Sequence, residues 1–287
     1  MTQLHDEDIK TKEVLEWKGV HLFHFPGSSC SQKTRIFLNL KDIAWTSHII
    51  DLSEQEQFSP WYLGINPRGL VPTLVLNGVV HIESNDIIQL LDRAFPEKRL
   101  IPGGFEDQVS ELLRHEDDLH LDLRTLSFRF TKPAGKAPKS AEDLKNYRAG
   151  GSGTVEGRKD LNKEHEIKFW ENVLQDGITD EAVRVSAGRF HEALTEQDKK
   201  LAINRFLLGE SLSVLDIAWF VYVNRLVLCG YPLEKLHSNV NAWFRSLRDR
   251  PEFANEIKAS PDMQKKVEEI QRKQKESGTT LADVTGL

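Results

Sequence analysis

The apolar run Val20-His21-Leu22-Phe23-His24-Phe25 stops at Pro26-Gly27 and hands over at once to a segment of helical periodicity. Pro and Gly break a strand, and Ser28-Ser29-Cys30-Ser31 then stand where the first turn of a helix begins. Ile36, Phe37 and Leu40 fall on one face of that helix, with Lys33, Arg35 and Lys41 off it. A second strand over Ser47–Leu52 follows. Strand, helix, strand in this order is the mark of a parallel βαβ unit, so the chain opens as an α/β fold with a buried first strand.

A helix start presents backbone N–H groups with no intrahelical acceptor, together with the positive end of the dipole. Such a place stabilises a phosphate, a carboxylate or a thiolate. The hydroxyls of Ser28–Ser31 can donate to a sulfur anion, or Cys30 can become the anion itself. The same residues also describe an ordinary Ser N-cap beside a buried Cys, and they do not by themselves choose.

Between Ile65 and Ser84 the pattern changes to β. Asn77-Gly78 between two β-branched runs predicts a hairpin whose turn needs positive φ at both residues. Pro72 opens the first of these strands, where a missing N–H is tolerated, and a cis bond there would expose the backbone of Val71 to a ligand. Ser84 is the expected N-cap of a helix over 85–94 with Ile87, Ile88, Leu90 and Leu91 facing a core. Glu83 and Ser84 suit an ammonium and a carboxylate of a substrate, or serve as a surface acid and a cap.

Pro96–Gly104, with two prolines and two glycines, reads as a domain boundary, and only helical periodicity follows it. Residues 108–130 form one long amphipathic run. Glu111 with His115 and Asp117 with His120 have metal-compatible spacings, but no second half of a site accompanies them, so a solvated helix face and no metal are expected. Residues 131–157 are rich in Gly, Pro, Lys and Ser. Their Gly150-Gly151-Ser152-Gly153 lacks the Lys-Ser/Thr ending of a phosphate loop, which makes the stretch a surface excursion. Helices resume over 161–174 and 182–202. Ser213 and Asp216 then form a capping box, with Leu212 and Ile217 placed as its staple. The almost wholly apolar helix they open, running to Leu228, is the expected spine of a second domain, with Cys229 packed at its end. Trp243–Leu247 reads as a further packed helix stopped by Pro251. The charged stretch Pro261–Ser277 keeps only Met263, Val267 and Ile270 as a stripe.

A chain of 287 residues fits two domains. A net charge of −6 gives no support to a nucleic-acid or anionic-membrane partner. Two cysteines are too few for a disulfide framework, no secretory leader opens the chain, and no apolar run reaches membrane-spanning length. A cytoplasmic protein is the expectation.

Taken together, these features resemble the soluble glutathione transferases over about residues 19–256. Ser28-Ser29-Cys30-Ser31 with Arg35 resembles the zeta-class helix 1 motif. Asn66-Pro67-Arg68-Gly69-Leu70-Val71-Pro72 and Glu83-Ser84 resemble the glutathione-binding segments, and Ser213-x-x-Asp216 the capping box of the family's central helix. The resemblance implies an α/β thioredoxin-like N-terminal domain followed by an all-α helical-bundle C-terminal domain. Residues 1–16 are polar and read as a tail or a short surface helix; the expected domains are then a glutathione-binding domain at 17–98, a linker at 99–107, and a helical substrate-binding domain at 108–260 carrying a mobile insertion at 131–160. A charged tail follows at 261–287.

The same resemblance implies glutathione as co-substrate, with Ser28, Ser29 and Cys30 as catalytic residues near its sulfur. Gln32, Arg68, Leu70, Val71, Pro72, Glu83 and Ser84 would bind it, the Val71 backbone pairing with the cysteinyl part and Glu83 with Ser84 holding the γ-glutamyl end. Leu70 stands where relatives often carry Lys or Gln, and no Tyr lies in the first strand or its loop to act as a tyrosine-type activator. The second half looks most like the tetrachlorohydroquinone dehalogenase group and the β-aryl-ether-cleaving enzymes of lignin breakdown. Both groups direct glutathione at an activated aromatic compound, and in the dehalogenases a Cys at the place of Cys30 then attacks the adduct. The implied activity is displacement of a phenolate or halide from a hydrophobic aromatic small molecule by a homo- or heterodimeric transferase. The alternatives are glutathione-dependent cis–trans isomerisation, as in the shorter zeta enzymes of the maleylacetoacetate isomerase type, and a non-catalytic binding protein of the same fold.

Overall fold

The computed structural model describes residues 1–133 and 138–287. In chain order the regular elements begin with β1 (Val20–His24), α1 (Ser29–Leu40), β2 (Thr46–Ile49), α2 (Pro60–Leu63), β3 (Thr73–Leu76), β4 (Val79–Ile82) and α3 (Ser84–Ala94). There follow α4 (Val109–Asp117), α5 (His120–Thr131), α6 (Ala141–Ala149), the short strands β5 (Thr154–Val155) and β6 (Arg158–Lys159), α7 (Asn162–Asp176) and α8 (Asp180–Leu201). The last elements are α9 (Val214–Leu228), α10 (Leu233–Leu236), α11 (Ser238–Arg248), α12 (Pro251–Ile257), α13 (Pro261–Ser277) and α14 (Leu281–Thr285). They group into two units, Met1–Phe95 with Ala137–Gly177, and Pro96–Lys136 with Ile178–Leu287.

The first unit is the α/β domain expected. Its sheet runs β2-β1-β3-β4, with β1 parallel to β2 and antiparallel to β3. Asn77 and Gly78 join β3 to β4 with φ of 51° and 83°, the mirror-image turn that matches strand twist. Phe23, Val75, Val80 and Ile82 sit in one buried cluster. The helix α1 carries more buried charge than its apolar face suggested. Lys33, Arg35 and Lys41 are all buried, and each has a polar partner: Lys33 donates to Asn85 at 2.8 Å and Lys41 pairs with Asp92 at 3.1 Å.

Two stretches differ from the sequence expectation. Residues 1–16, read as a polar tail, bury Leu4, Ile9 and Val14 in the same cluster as the sheet. Their backbone covers the β4 edge, with Leu4 N–H donating to Val80 O at 2.9 Å and Ile82 N–H to Thr2 O at 3.1 Å. An open edge is thereby closed. Residues 138–160, read as an excursion of the helical domain, hold α6 and the β5–β6 hairpin and belong with α7 to the first unit. Tyr147 of α6 stacks on Phe58 at 4.2 Å between centroids, and Asp8 accepts from Thr154 Oγ1 at 2.6 Å and from Gly157 N–H at 3.1 Å. Of the expected insertion, 134–137 lie outside the described residues.

The described residues of the second unit are helical apart from their connections. The single run expected over 108–130 is two helices, α4 and α5, parted at Asp118-Leu119, where Asp118 O accepts from Arg189 of α8 and Leu119 is buried. Within α5, His120 faces Tyr222 Oη at 3.1 Å and Arg124 Nη2 at 3.2 Å. The spine α9 is buried through most of its length, as its composition predicts. Cys229 is buried beside it, which pushes its thiol up to about 12 and leaves it un-ionised at neutral pH. The stretch 261–277 is the helix α13, held by Gln271 Nε2 to Leu228 O at 2.9 Å.

Candidate functional site

Register brings the sequence-predicted residues of the first unit together. Phe23 near the end of β1 pairs with Thr73 at the start of β3, and Thr73 pairs with Ile82 at the end of β4. The residues after β1, before β3 and after β4 therefore all leave the sheet at one end. These are Pro26–Cys30, Asn66–Pro72 and Glu83–Ser84.

At the first of these, Ser28 is the N-cap of α1 and its Oγ accepts from Ser31 N–H at 3.2 Å. A hydroxyl that accepts still has its own hydrogen to donate, so capping does not consume Ser28. Ser29 and Cys30 follow in the first turn, both half-buried, and Cys30 is a free thiol. Arg35 holds the preceding loop, donating to Phe25 O at 3.2 Å and Pro26 O at 3.1 Å. It also lies 3.2 Å from Nδ1 of His24. A guanidinium can only donate, so His24 carries its hydrogen on Nε2 and gives it to Ser47 Oγ at 2.7 Å. Burial, and then the Arg35 charge, drop the His24 pKa to about 4 and keep the ring neutral. Gln32 is buried one turn on in α1.

In the second stretch the Val71–Pro72 bond is cis. The loop before it is fixed by side chains: Leu70 O accepts from Tyr62 Oη at 2.6 Å and from Asn66 Nδ2 at 2.9 Å, and Asn66 Oδ1 takes Arg68 N–H at 2.9 Å. Gly69 has φ +57° and a Cβ there would stand 3.0 Å from Gln57 O, Leu63 Cδ2 and Tyr147 Cε2, so glycine alone fits. Against this rigid frame, the main-chain N–H and C=O of half-buried Val71 have no hydrogen-bond partner among the described residues. Backbone groups in such a place are rarely left unsatisfied.

At the third stretch the helix N-cap is Glu83 rather than Ser84, and Ser84 is the first, buried residue of α3. Glu83 has φ +68°, a left-handed conformation unusual for a residue with a Cβ. Its carboxylate pairs with Arg68. Arg68 in turn is bidentate to Asp160, Nε to Oδ2 at 3.0 Å and Nη2 to Oδ1 at 2.9 Å. Tyr62, Asp160 and Tyr147 were not legible as site residues, since no local motif marks them.

A sequence model of the glutathione S-transferase N-terminal domain matches residues 22–99, and one of the glutathione S-transferase C-terminal domain matches 180–246. The chain belongs to the glutathione S-transferase family. Between the two matches, residues 100–179 include the segment that packs onto the first unit. Among relatives, glutathione S-transferase 1 of Dianthus caryophyllus is 38% identical over 94 residues, 33% of this chain and 42% of its own length. Maleylacetoacetate isomerase maiA of Aspergillus fumigatus is 46% identical over 57 residues, 20% of this chain and 25% of its own. The matches thus span less than half of the length of these two relatives. Among solved structures, the β-etherase LigF from Sphingobium sp. strain SYK-6 has a TM-score of 0.70 at 21% identity, covering 83% of this chain and 98% of that one. It shares the fold. Among the described residues of the chain, no helix is long and apolar enough to cross a membrane.

Proposed function

We propose that this glutathione S-transferase binds glutathione at the end of the sheet where β1, β3 and β4 converge and uses its thiolate to displace a phenolate or halide from an aromatic compound. The observation that carries the binding step is Val71, whose main-chain N–H and C=O are unpaired among the described residues and lie on a side-chain-fixed loop. They fit the antiparallel pairing that the cysteinyl residue of a tripeptide offers. The sulfur then sits at the start of α1, where Ser28 and Ser29 donate and the helix dipole favours the anion. A thiol made more acidic in this way is ionised to a greater extent near pH 7, and the thiolate fraction grows nearly in proportion to the acidity constant until ionisation saturates. The thiol proton leaves to solvent, the sulfur lone pair forms a C–S bond, and the phenolate or halide departs with the electrons of the bond that breaks. The likeness in fold to a β-etherase favours an aryl-ether substrate.

A second reading rests on the isomerase relative: glutathione adds to a double bond and is released again. One experiment separates the two. The protein is retained on immobilised glutathione, eluted, and incubated with glutathione and a panel of aryl ethers and chlorophenols, and separately with a maleyl compound, with products read by mass spectrometry. A glutathione thioether with free phenol or halide supports displacement. An isomerised maleyl compound with glutathione recovered intact supports the second reading. Retention without turnover of any of these compounds leaves a binding protein and overturns both.

A further inference from the structure

The segment that joins the first unit from 138 onward grips the candidate glutathione loop at one residue from two sides. Tyr147 Oη donates to the main-chain oxygen of Arg68, while Asp160 takes Nε and Nη2 of the same residue's side chain. Asn162, its amide oxygen turned to the guanidinium, accepts from Nη2 at 3.0 Å and Nη1 at 3.2 Å. Nη1 also donates to Glu83. The planar fork of an arginine has five donors in fixed directions, and here the fork is committed within the protein at all three of its nitrogens.

The three charged side chains differ in exposure. Those of Arg68 and Asp160 are 10% and 8% exposed, while that of Glu83 is 37% exposed. Arg68 and Asp160 are therefore the buried frame and Glu83 is the member that reaches outward. The Glu83 carboxylate, as the outward member, presents negative charge that suits a ligand ammonium. Glu83 also needs holding. Its left-handed backbone is a conformation that persists in a residue with a side chain only when neighbours enforce it.

We infer that Asp160 is a positioning residue for ligand recognition: it fixes Arg68, and Arg68 fixes the Glu83 carboxylate to receive the α-ammonium of the ligand's γ-glutamyl end. Arg68 on this account touches no ligand, although its charge and place near the loop suggest a carboxylate anchor. Specificity for the γ-glutamyl ammonium is then set by a residue 92 positions away in sequence from Arg68, on a segment outside both family matches. The inference rests on the glutathione-binding reading above.

Calorimetric binding of glutathione and of glutaryl-cysteinylglycine, which lacks only the α-amino group, tests it. Wild-type protein that binds neither peptide defeats the glutathione reading itself, and the inference falls with it. With glutathione binding established, the wild type should prefer glutathione to the deaminated peptide by about tenfold or more, equivalent to ~1.4 kcal/mol. Asp160→Asn should bind glutathione at least about fivefold more weakly and shrink that preference to about twofold or less. A merely structural role would weaken both peptides alike and leave the preference intact, which would overturn the inference. Should Asp160→Asn not fold, Arg68→Lys enters the same cycle, since an ammonium cannot hold both carboxylates in the bidentate geometry. The same collapse of preference is expected from it, and an unchanged preference overturns the inference equally. In the Asp160→Asn/Arg68→Lys double variant the loss should not exceed that of the worse single variant, the mark of two residues acting through one contact. Additive losses would mean independent contacts and would overturn it.

Discussion

Ser28 both accepts a capping hydrogen bond and keeps a hydrogen to give, while Ser29 and Cys30 share its helix turn. The three divide by chemistry. Hydroxyl donors aimed at a forming or resting anion are worth about ten- to a thousandfold in rate, so Ser28→Ala with Ser29→Ala should lower kcat/KM for thioether formation by that range. The unreacted glutathione thiol should titrate at higher pH in the double variant, visible as thiolate absorbance in the ultraviolet. Cys30→Ala should leave thioether formation within about threefold if Cys30 only fills space. A loss confined to release of glutathione from a preformed adduct would give Cys30 the thiol-exchange step. What could be read at this scale was whatever is local in sequence. The N-cap, the Val-Pro pair and the Asn-Gly turn each carry their conformational reason within a few residues. Asp160 does not: its role exists only because the fold lays it on Arg68, and its own neighbourhood of glycines and charges has no period to read.

Elements were legible in proportion to how much of their stability is their own. The α9 helix announced itself through Ser213 and Asp216, and the box forms as written: Asp216 accepts from Ser213 N–H at 2.9 Å and Ser213 Oγ at 2.6 Å on one oxygen. The other oxygen takes Leu207 N–H at 2.9 Å and Trp243 Nε1–H at 3.0 Å, two tertiary contacts beyond the motif. Three of these four partners are N–H groups that can only donate, so an amide cannot satisfy them as the carboxylate does. Asp216→Asn, even with its NH2 turned to the Ser213 hydroxyl, leaves the buried Ser213 N–H facing a donor and should cost on the order of 2 kcal/mol, a stranded buried donor costing ~1–3 kcal/mol. Ser213→Ala, which removes one cap, should cost about 1 kcal/mol. Urea denaturation of both variants checks the ranking, and equal losses would reduce Asp216 to a simple cap. The first sixteen residues misled for the opposite reason. Leu4, Ile9 and Val14 are too sparse to show a period among acidic neighbours, and their place in the core comes from pairing with β4 rather than from any structure of their own. The α1 lysines misled similarly, being buried because Asn85 and Asp92 lie opposite them.

Across the molecule, the first unit holds three histidines depressed by burial, while the second holds one such histidine together with two carboxyls raised by burial, and this sets how each should answer to acid. In the first unit His24, His48 and His81 are all depressed by burial, His24 to about 4. Unfolded histidines take up protons near pH ~6.5, so below that point the unfolded state binds more protons than the folded one. Folding stability then falls as pH drops, by at most about 1.4 kcal/mol per pH unit for each such ring. Asp8, despite its burial, is lowered by the Thr154, His5 and Gly157 hydrogen bonds, and its contribution is present above 3.8 and lost further down, through its folded pKa. In the second unit His237 follows the same rule as the other rings, but Asp122 and Asp216 are raised by burial. Their folded forms hold a proton where the unfolded chain has lost it, so they favour folding as pH falls from their raised values towards 3.8. The acid cost should therefore fall mainly on the first unit. Hydrogen exchange at about pH 7 and about pH 5, on either side of the unfolded histidine pKa and corrected for intrinsic rates, should show β1 and β3 peptides losing protection well before those of α9. His24→Gln, which keeps a donor towards Ser47 and cannot titrate, should recover part of the loss at the lower pH while leaving protection at the higher pH unchanged or lower. Equal loss in β1 and α9, or no such recovery in that variant, would show that some other group governs the acid response.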